Sequence, residues 1–151
     1  MLADLTHVTY CGLYCRLCAQ MARMPQQSRA LRETMRKEGW ELWGEAVHAG
    51  FDEFWRILGT LATTDETCPG CRGGCGFPGC EIRTCAQERE IDLCPMCEDF
   101  PCEHIEGLAR RYPTLIPDGM RMREIGLEAW IDEQEDRRAT GFAYADIRHP
   151  D

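Results

Sequence analysis

The chain has 151 residues, of which 44% are hydrophobic and 28% charged, and this composition suits one globular domain with a modest apolar core. Its formal net charge of −9 disfavours a nucleic-acid partner, because phosphate contacts need clustered Lys and Arg. No stretch approaches the roughly 20 apolar residues that a membrane span needs, so we expect no membrane partner.

The first segment, residues 1–26, carries a run of three cysteines, Cys11, Cys15 and Cys18. Apolar residues at helical spacing from Leu17 to Met24 predict a short helix, which Pro25 ends. No basic region followed by an apolar run is visible near the start, so we expect no signal peptide and a cytoplasmic protein. In a reducing compartment, clustered cysteines indicate metal sites more often than disulfides.

The second segment, residues 28–63, is predicted to be helical. Ser28 is the expected N-cap of its first helix, and Gly39 is the expected stop. Large apolar residues then recur at helical spacing, which favours a packed core over an aromatic stacking platform. They are Trp40, Trp43, Val47, Phe51, Phe54, Trp55, Leu58 and Leu61.

The third segment, residues 64–103, holds the other eight cysteines among many Gly and Pro residues, so it should form loops and short strands. Two C-P-x-C hairpins, Cys68–Cys71 and Cys94–Cys97, are typical of tetrahedral metal sites. A segment of this kind buries too little apolar surface to order itself, and metal bonds would supply the missing stability. Between residues 68 and 102, three arginines are outnumbered by six acidic residues, which again disfavours nucleic acid.

Tetrahedral sites need four ligands each, so the cysteines must be partitioned. The hairpins pair most simply into one site, made of Cys68, Cys71, Cys94 and Cys97. The N-terminal run then needs a fourth ligand, for which Cys85 and Cys102 are the candidates. That division leaves Cys75, Cys80 and one of those two, and His104 is either a further ligand or an ordinary surface histidine.

The spacing favours zinc, two or three ions, with an iron–sulfur cluster as the alternative. Sulfur ligands suit both metals. Proline follows the first cysteine of each hairpin, as in zinc knuckles and rubredoxin-type iron sites, whereas the ferredoxin run places proline after its last cysteine.

The fourth segment, residues 104–151, returns to helix. A short helix is expected from about 101 to 111 and a longer one from about 118 to 138, with Met122, Ile125, Ala129 and Trp130 facing inward. The tail from Gly141 alternates apolar residues and could be a short strand or an extended arm. The predicted fold is therefore mainly α: a single domain, 1–151, with a helical body and a central, metal-stapled, loop-rich cysteine lobe.

Together the motifs resemble a family of small prokaryotic cysteine-rich proteins, catalogued as a domain of unknown function with presumed zinc binding. The motifs are Tyr10-Cys-Gly-Leu-Tyr-Cys15-x2-Cys18, Cys68-x-Gly-Cys71, Cys80-x-Ile-Arg-x-Cys85-Ala, Cys94-x2-Cys97 and Phe100-Pro-Cys102. A stretch from Arg123 to Glu135 is similar to the helix that follows in that family, so the resemblance spans roughly residues 8–136. It implies ten metal ligands: Cys11, Cys15, Cys18, Cys68, Cys71, Cys80, Cys85, Cys94, Cys97 and Cys102.

No catalytic constellation stands out, so the first hypothesis is a non-enzymatic zinc protein whose metals are structural and whose surface serves a protein partner or a homo-oligomer. The second is an iron–sulfur or redox protein, such as an electron carrier or cluster donor. The third is metal handling or thiol chemistry at a labile site.

Overall fold

The computed structural model describes residues 4–150, and in that range it is mainly α. It contains nine α-helices and four 3-10 turns, and the described residues form no strand beyond an isolated antiparallel bridge between Val8 and Tyr14. The mainly-α prediction is therefore confirmed. None of the helices in this range has the length and apolar character that a membrane crossing requires.

The chain divides into two compact units. The first, here called the cysteine unit, joins the chain up to Cys18 with the chain from Pro69 onward. The second, here called the helical unit, is Ala19–Cys68. The helical unit contains α1 Ala19–Ala22, α2 Met24–Lys37, α3 Trp40–Val47, α4 Phe51–Leu61 and α5 Thr64–Thr67.

Local signals explain where the helices of this unit begin and end, but Pro25 acts differently from the prediction. Pro25 starts α2 rather than ending the preceding helix, because proline is tolerated in the first turn, where its missing N–H has no partner to lose. Ser28 is consequently buried inside α2 and caps nothing. Gly39 follows the end of α2 with a φ of +81°, a conformation that favours glycine.

The aromatic residues of the helical unit form a cluster that is only partly buried. Phe51 is buried and contacts Trp40 and Trp55, with ring centroids 5.6 and 5.9 Å apart. Other members of the predicted core are exposed, including Trp43 at 40% and Val47 at 58%. Helical spacing places these residues in helices, but it does not reveal how much of an apolar face another element covers.

The cysteine unit contains α6 Glu81–Glu88, α7 Glu103–Ala109, α8 Leu115–Ile125 and α9 Leu127–Ala139. Its four 3-10 turns are Cys15–Leu17, Cys71–Gly73, Cys94–Met96 and Tyr144–Asp146. One apolar cluster joins the N-terminal segment to α8 and α9 through Tyr14, Met122 and Trp130. A second cluster consists of Ile82, Phe100, Ile105 and Leu115, and several cysteines pack against it.

Three expectations for this unit were wrong. The predicted helix over 118–138 is two helices, because Gly126 has φ +86° and ψ 160°, which an ordinary residue does not adopt. Ala129 is consequently exposed, although Met122 and Trp130 are fully buried. The predicted cysteine lobe contains the helix α6. Of the two alternatives for the C-terminal tail, a short strand or an extended arm, the described residues form no strand, and the tail contains a 3-10 turn.

Candidate metal centre

Four thiols of the cysteine unit line one small cavity, here called the thiol cavity. They belong to Cys85, Cys94, Cys97 and Cys102. The cavity has a volume of about 30 Å³. One water needs only about 10–15 Å³, so the space suits a single small ion rather than an organic ligand. Buried Phe100 and Ile105 complete its wall and limit the access of solvent.

Three local structures bring these thiols together. Cys85 lies within α6, Cys94 and Cys97 lie on the 3-10 turn and directly after it, and Cys102 immediately precedes α7. Proline at the second position of the turn fixes its φ, and the Cys97 N–H donates to the Cys94 carbonyl at 2.9 Å. Because the turn contacts α8 and α6 contacts α7, the cavity is enclosed by the fold of this unit.

Two buried thiols in this region, those of Cys94 and Cys11, are held neutral. Burial, with smaller contributions from the thiols of Cys11 and Cys102, raises the pKa of the Cys94 thiol to about 12. Burial also raises the pKa of the Cys11 thiol to about 11, against the opposing hydrogen bond with Thr9. Because a metal binds the thiolate, any metal bound by Cys94 must displace a proton.

Arg123 fastens the turn that carries Cys94 and Cys97. From α8, its Nη2 donates to the Cys97 carbonyl at 2.5 Å, its Nε donates to the Pro95 carbonyl, and its guanidinium lies over the Phe100 ring at 5.4 Å. These bonds satisfy carbonyls that no helix or strand would otherwise satisfy. Arg123 opens the C-terminal stretch of the family resemblance, but no motif in the sequence indicates this role.

Two further arginines bind the backbone of the cysteine-rich loops. Arg72 donates to the carbonyls of Val8 at 2.7 Å and Asp92 at 2.5 Å, and so joins the N-terminal segment to the chain before the Cys94 turn. Arg83 of α6 donates to the carbonyls of Cys75 at 2.9 Å and Phe77 at 3.1 Å. In the sequence both count only as charges, although Arg83 is the arginine of the motif C-x-I-R-x-C.

The other six predicted ligands lie outside the thiol cavity. Cys11 has its Sγ 3.0 Å from the Thr9 hydroxyl, and Cys80 immediately precedes α6. Cys15 is buried, Cys18 is exposed, and Cys71 begins a 3-10 turn. Cys68 is the last residue of the helical unit.

Gly70 shows how closely the chain before Cys71 passes the N-terminal segment. Its φ is +76°, and a Cβ there would lie 3.7 Å from the Cys15 Sγ and 2.9 Å from the Thr6 carbonyl oxygen. Only glycine fits this approach without a shift of the backbone. The Cys71 segment therefore runs beside Cys15.

The grouping of thiols differs from the pairing that the two hairpins predict. Cys94 and Cys97 share their cavity with Cys85 and Cys102, and Cys71 is not part of its lining. The zinc-ribbon pairing assumes two facing hairpins, whereas here α6 and the start of α7 supply the nearer thiols. Within residues 4–150, no group of three or more Cys, His, Asp or Glu side chains has an arrangement that could hold a metal ion. Metal ligation by the ten cysteines stays a prediction.

A family model described as "Protein of unknown function (DUF3795)" matches residues 7–107, which is about two thirds of the chain. The chain belongs to this family. The match covers the N-terminal cysteine run, the helical unit and all four thiols of the cavity. It confirms the family resemblance that the cysteine motifs indicated. Neither a curated protein nor a solved structure matches the chain.

Proposed function

We propose that this DUF3795 protein is a zinc protein in which a metal bound by Cys85, Cys94, Cys97 and Cys102 holds the cysteine unit in shape, while exposed apolar side chains of the helical unit bind a protein partner. The observation that supports it most directly is the convergence of four thiols on one small, largely apolar cavity.

The donor set suits a closed structural site. Four thiolates are the ligands of structural zinc, and with no place left for water or substrate such a site supplies stability rather than catalysis. Arg89 also lines the cavity and forms an ion pair with Asp99 at 2.9 Å. Its positive charge would offset part of the negative charge of a metal bound by four thiolates.

The apolar packing around the cavity is small enough to benefit from such a metal. The cluster beside it has four buried side chains, from Ile82, Phe100, Ile105 and Leu115. The loops on either side are rich in glycine, which costs conformational entropy when it is ordered. A metal that joins α6, the Cys94 turn and α7 would restrain these loops with bonds whose strength does not depend on core size.

The interaction part of the proposal is supported by the helical unit. Leu42 is 90% exposed, and Trp43, Val47, Phe54 and Ile57 are exposed as well. All five lie on α3 and α4. Exposed apolar side chains on two helices that contact each other favour a surface that another protein covers. A Leu42→Asp variant should lose that association while it keeps its metal, which separates the two parts of the proposal.

The test of the metal is its identity and stoichiometry. Protein purified without oxygen or added metal would be analysed by plasma mass spectrometry together with its visible spectrum. We expect zinc and no visible band. Iron with acid-labile sulfide and absorbance near 400 nm would instead establish the iron–sulfur hypothesis.

Two matched variants link the metal to this cavity. Cys85→Ser removes one of the four thiols, whereas Cys75→Ser changes a cysteine that does not line the cavity. We expect Cys85→Ser to lose one metal ion per chain and Cys75→Ser to lose none. Equal metal content in both variants would contradict the assignment.

A further inference from the structure

A second and much larger cavity lies in the cysteine unit, between the start of α6, the far end of α7 and the C-terminal tail. Its volume is about 430 Å³, which is within the range of sites for small organic ligands. It shares no lining residue with the thiol cavity, although α6 and α7 contribute to both. We call it the basic cleft because of the two arginines described next.

Arg111 and Arg148 both line this cleft. Among residues 4–150, neither guanidinium forms an ion pair with a carboxylate, whereas several exposed arginines elsewhere in the cysteine unit do. Glu81 supplies the one carboxylate of the lining, and it lies 3.5 Å from the Nδ1 of His104 rather than on an arginine. The cleft is thus a cationic site on a chain whose formal net charge is −9.

The tail that carries Arg148 is fastened in place. The His149 N–H donates to the Arg111 carbonyl at 2.9 Å, and the Arg148 N–H donates to the Tyr144 carbonyl at 2.8 Å. The Arg148 guanidinium lies over the Tyr112 ring, with its Cζ 5.2 Å from the ring centroid. These contacts fix the tail against the segment that carries Arg111, hold the Arg148 guanidinium on Tyr112, and lower the cost of ordering Arg148 around a ligand.

Apolar groups occupy the rest of the wall. Phe77, Ile82, Leu108 and Tyr112 line the cleft beside the arginines. Phe77 is 78% exposed, and neither buried core cluster contains it. A ligand that matches this lining has an anionic group for the arginines and an apolar or aromatic part for these side chains.

We propose that the basic cleft binds a small organic phosphate, with the phosphate between Arg111 and Arg148 and the organic part against Phe77 and Tyr112. A guanidinium presents a planar fork of N–H donors that matches phosphate oxygens in pairs. Two such forks carry two positive charges, which suits the dianion of a phosphate monoester better than a single carboxylate. This inference does not depend on the metal in the thiol cavity.

Phenyl phosphate is the probe for this site, and its binding to the full chain, as purified, can be followed by calorimetry and by amide NMR shifts. We expect saturable one-to-one binding at pH 7.5, with shifts concentrated at Gly79, Leu108, Arg111 and Tyr112. Benzoate, which has a single charge, should bind at least about fivefold more weakly. Tighter binding of benzoate would overturn the phosphate assignment.

The variants separate this cleft from general charge. Arg111→Gln and Arg148→Gln should each lower the affinity about tenfold or more, which corresponds to about 1.4 kcal/mol, because each removes charge-assisted hydrogen bonds to the phosphate. Arg110→Gln removes the same charge from the neighbouring residue, which does not line the cleft, and should change the affinity less than twofold. Arg148→Lys should give an intermediate loss, because it keeps the charge without the fork.

Two results would overturn the proposal. One is the absence of saturable phenyl phosphate binding to the wild-type chain. The other is an equal loss of affinity in Arg110→Gln and Arg111→Gln, which would mean that net charge alone attracts the anion. Both outcomes leave the metal content unchanged, so failure of this proposal is distinguishable from failure of the proposed metal centre.

Discussion

The cysteine unit and the helical unit bury their side chains in different ways. In the cysteine unit, large residues such as Trp130 and Met122 are fully buried, and thiols pack against a second cluster around Ile105. In the helical unit, the large apolar side chains that are buried are those of Phe51 and Leu58, both of α4. Many of the other apolar residues there remain exposed, and Cys68 is the single cysteine.

This difference shows that helix content and cysteine content say little about where a core forms. The helical unit has the clearer pattern of large apolar residues at helical spacing, yet more of those side chains are exposed to solvent. The cysteine unit has the more irregular sequence and the better-defined core. Its irregular segments are held by arginine bonds to carbonyls, by apolar packing and, as proposed, by a metal. Four experiments test the difference between the two units.

Removing the metal should have the largest effect, and only in the cysteine unit. A strong chelator should raise the hydrogen-exchange rates of α6 and α7 by several orders of magnitude, because structural zinc contributes on the order of 10 kcal/mol at neutral pH. The amides of α2 and α4 should keep their protection. Equal loss of protection in both units, or no loss in either, would contradict the localised role of the metal.

Substitution of a tryptophan in each unit should give very different costs. Trp130→Ala removes a fully buried side chain and should lower the free energy of unfolding by about 3–5 kcal/mol. Trp43→Ala removes one that is 40% exposed and should cost about 1 kcal/mol or less. Urea unfolding of both variants measures the difference. Equal costs would mean that Trp43 is covered in solution by something other than this chain.

Two helical glycines should respond to alanine with opposite signs. A Cβ on Gly44 would lie 2.5 Å from the Phe51 Cδ1, and the buried ring cannot move away, so Gly44→Ala should destabilise the helical unit by about 1–3 kcal/mol. Nothing lies within 4 Å of a Cβ on Gly107 in α7, so Gly107→Ala should stabilise by about 0.5–1 kcal/mol. Thermal unfolding separates the two, and two shifts of the same sign would refute the packing assigned to Gly44.

The smallest effect concerns alkaline pH. Burial raises the pKa of the Tyr144 phenol far above its usual value of 10, although the bond from the Tyr14 N–H opposes this. The unfolded chain therefore ionises first, and the contribution of Tyr144 to stability is complete below pH 10 and falls by up to about 1.4 kcal/mol per pH unit above it.

Tyr144→Phe should cost about 1 kcal/mol at pH 7, through the lost hydrogen bond, and should show a shallower loss of stability above pH 10. Denaturant unfolding between pH 8 and pH 11 gives both quantities. An unchanged slope in Tyr144→Phe would show that the phenol is not protected from solvent.

The sequence predicted the fold class and most helices, because the helical spacing of apolar residues and a glycine that ends a helix, such as Gly39, are local signals. It did not predict the break at Gly126, since a glycine within a helical pattern can either continue the helix or end it. It also did not predict how the thiols group. Cys85 and Cys102 line the same cavity as Cys94 because α6 and α7 pack against each other. Sequence spacing does not encode that contact.

The roles of the arginines were equally hidden from the sequence. Arg123 reaches the Cys94 turn from a helix that begins thirteen residues after Cys102, and the basic cleft forms only where the tail returns to α7. A count of charges misses the role of such residues, because it treats every arginine as a solvated surface charge. In the folded chain, Arg72, Arg83 and Arg123 bind carbonyls, which are long-range partners that no local pattern identifies.

The most direct test of the shared metal site is the zinc content of two double variants and their combination. Cys85→Ser/Cys102→Ser and Cys94→Ser/Cys97→Ser should each lose one ion per chain, and the quadruple variant should lose that same single ion and no more. A quadruple variant that loses two ions would place the two pairs in separate sites and contradict the thiol cavity as one metal centre.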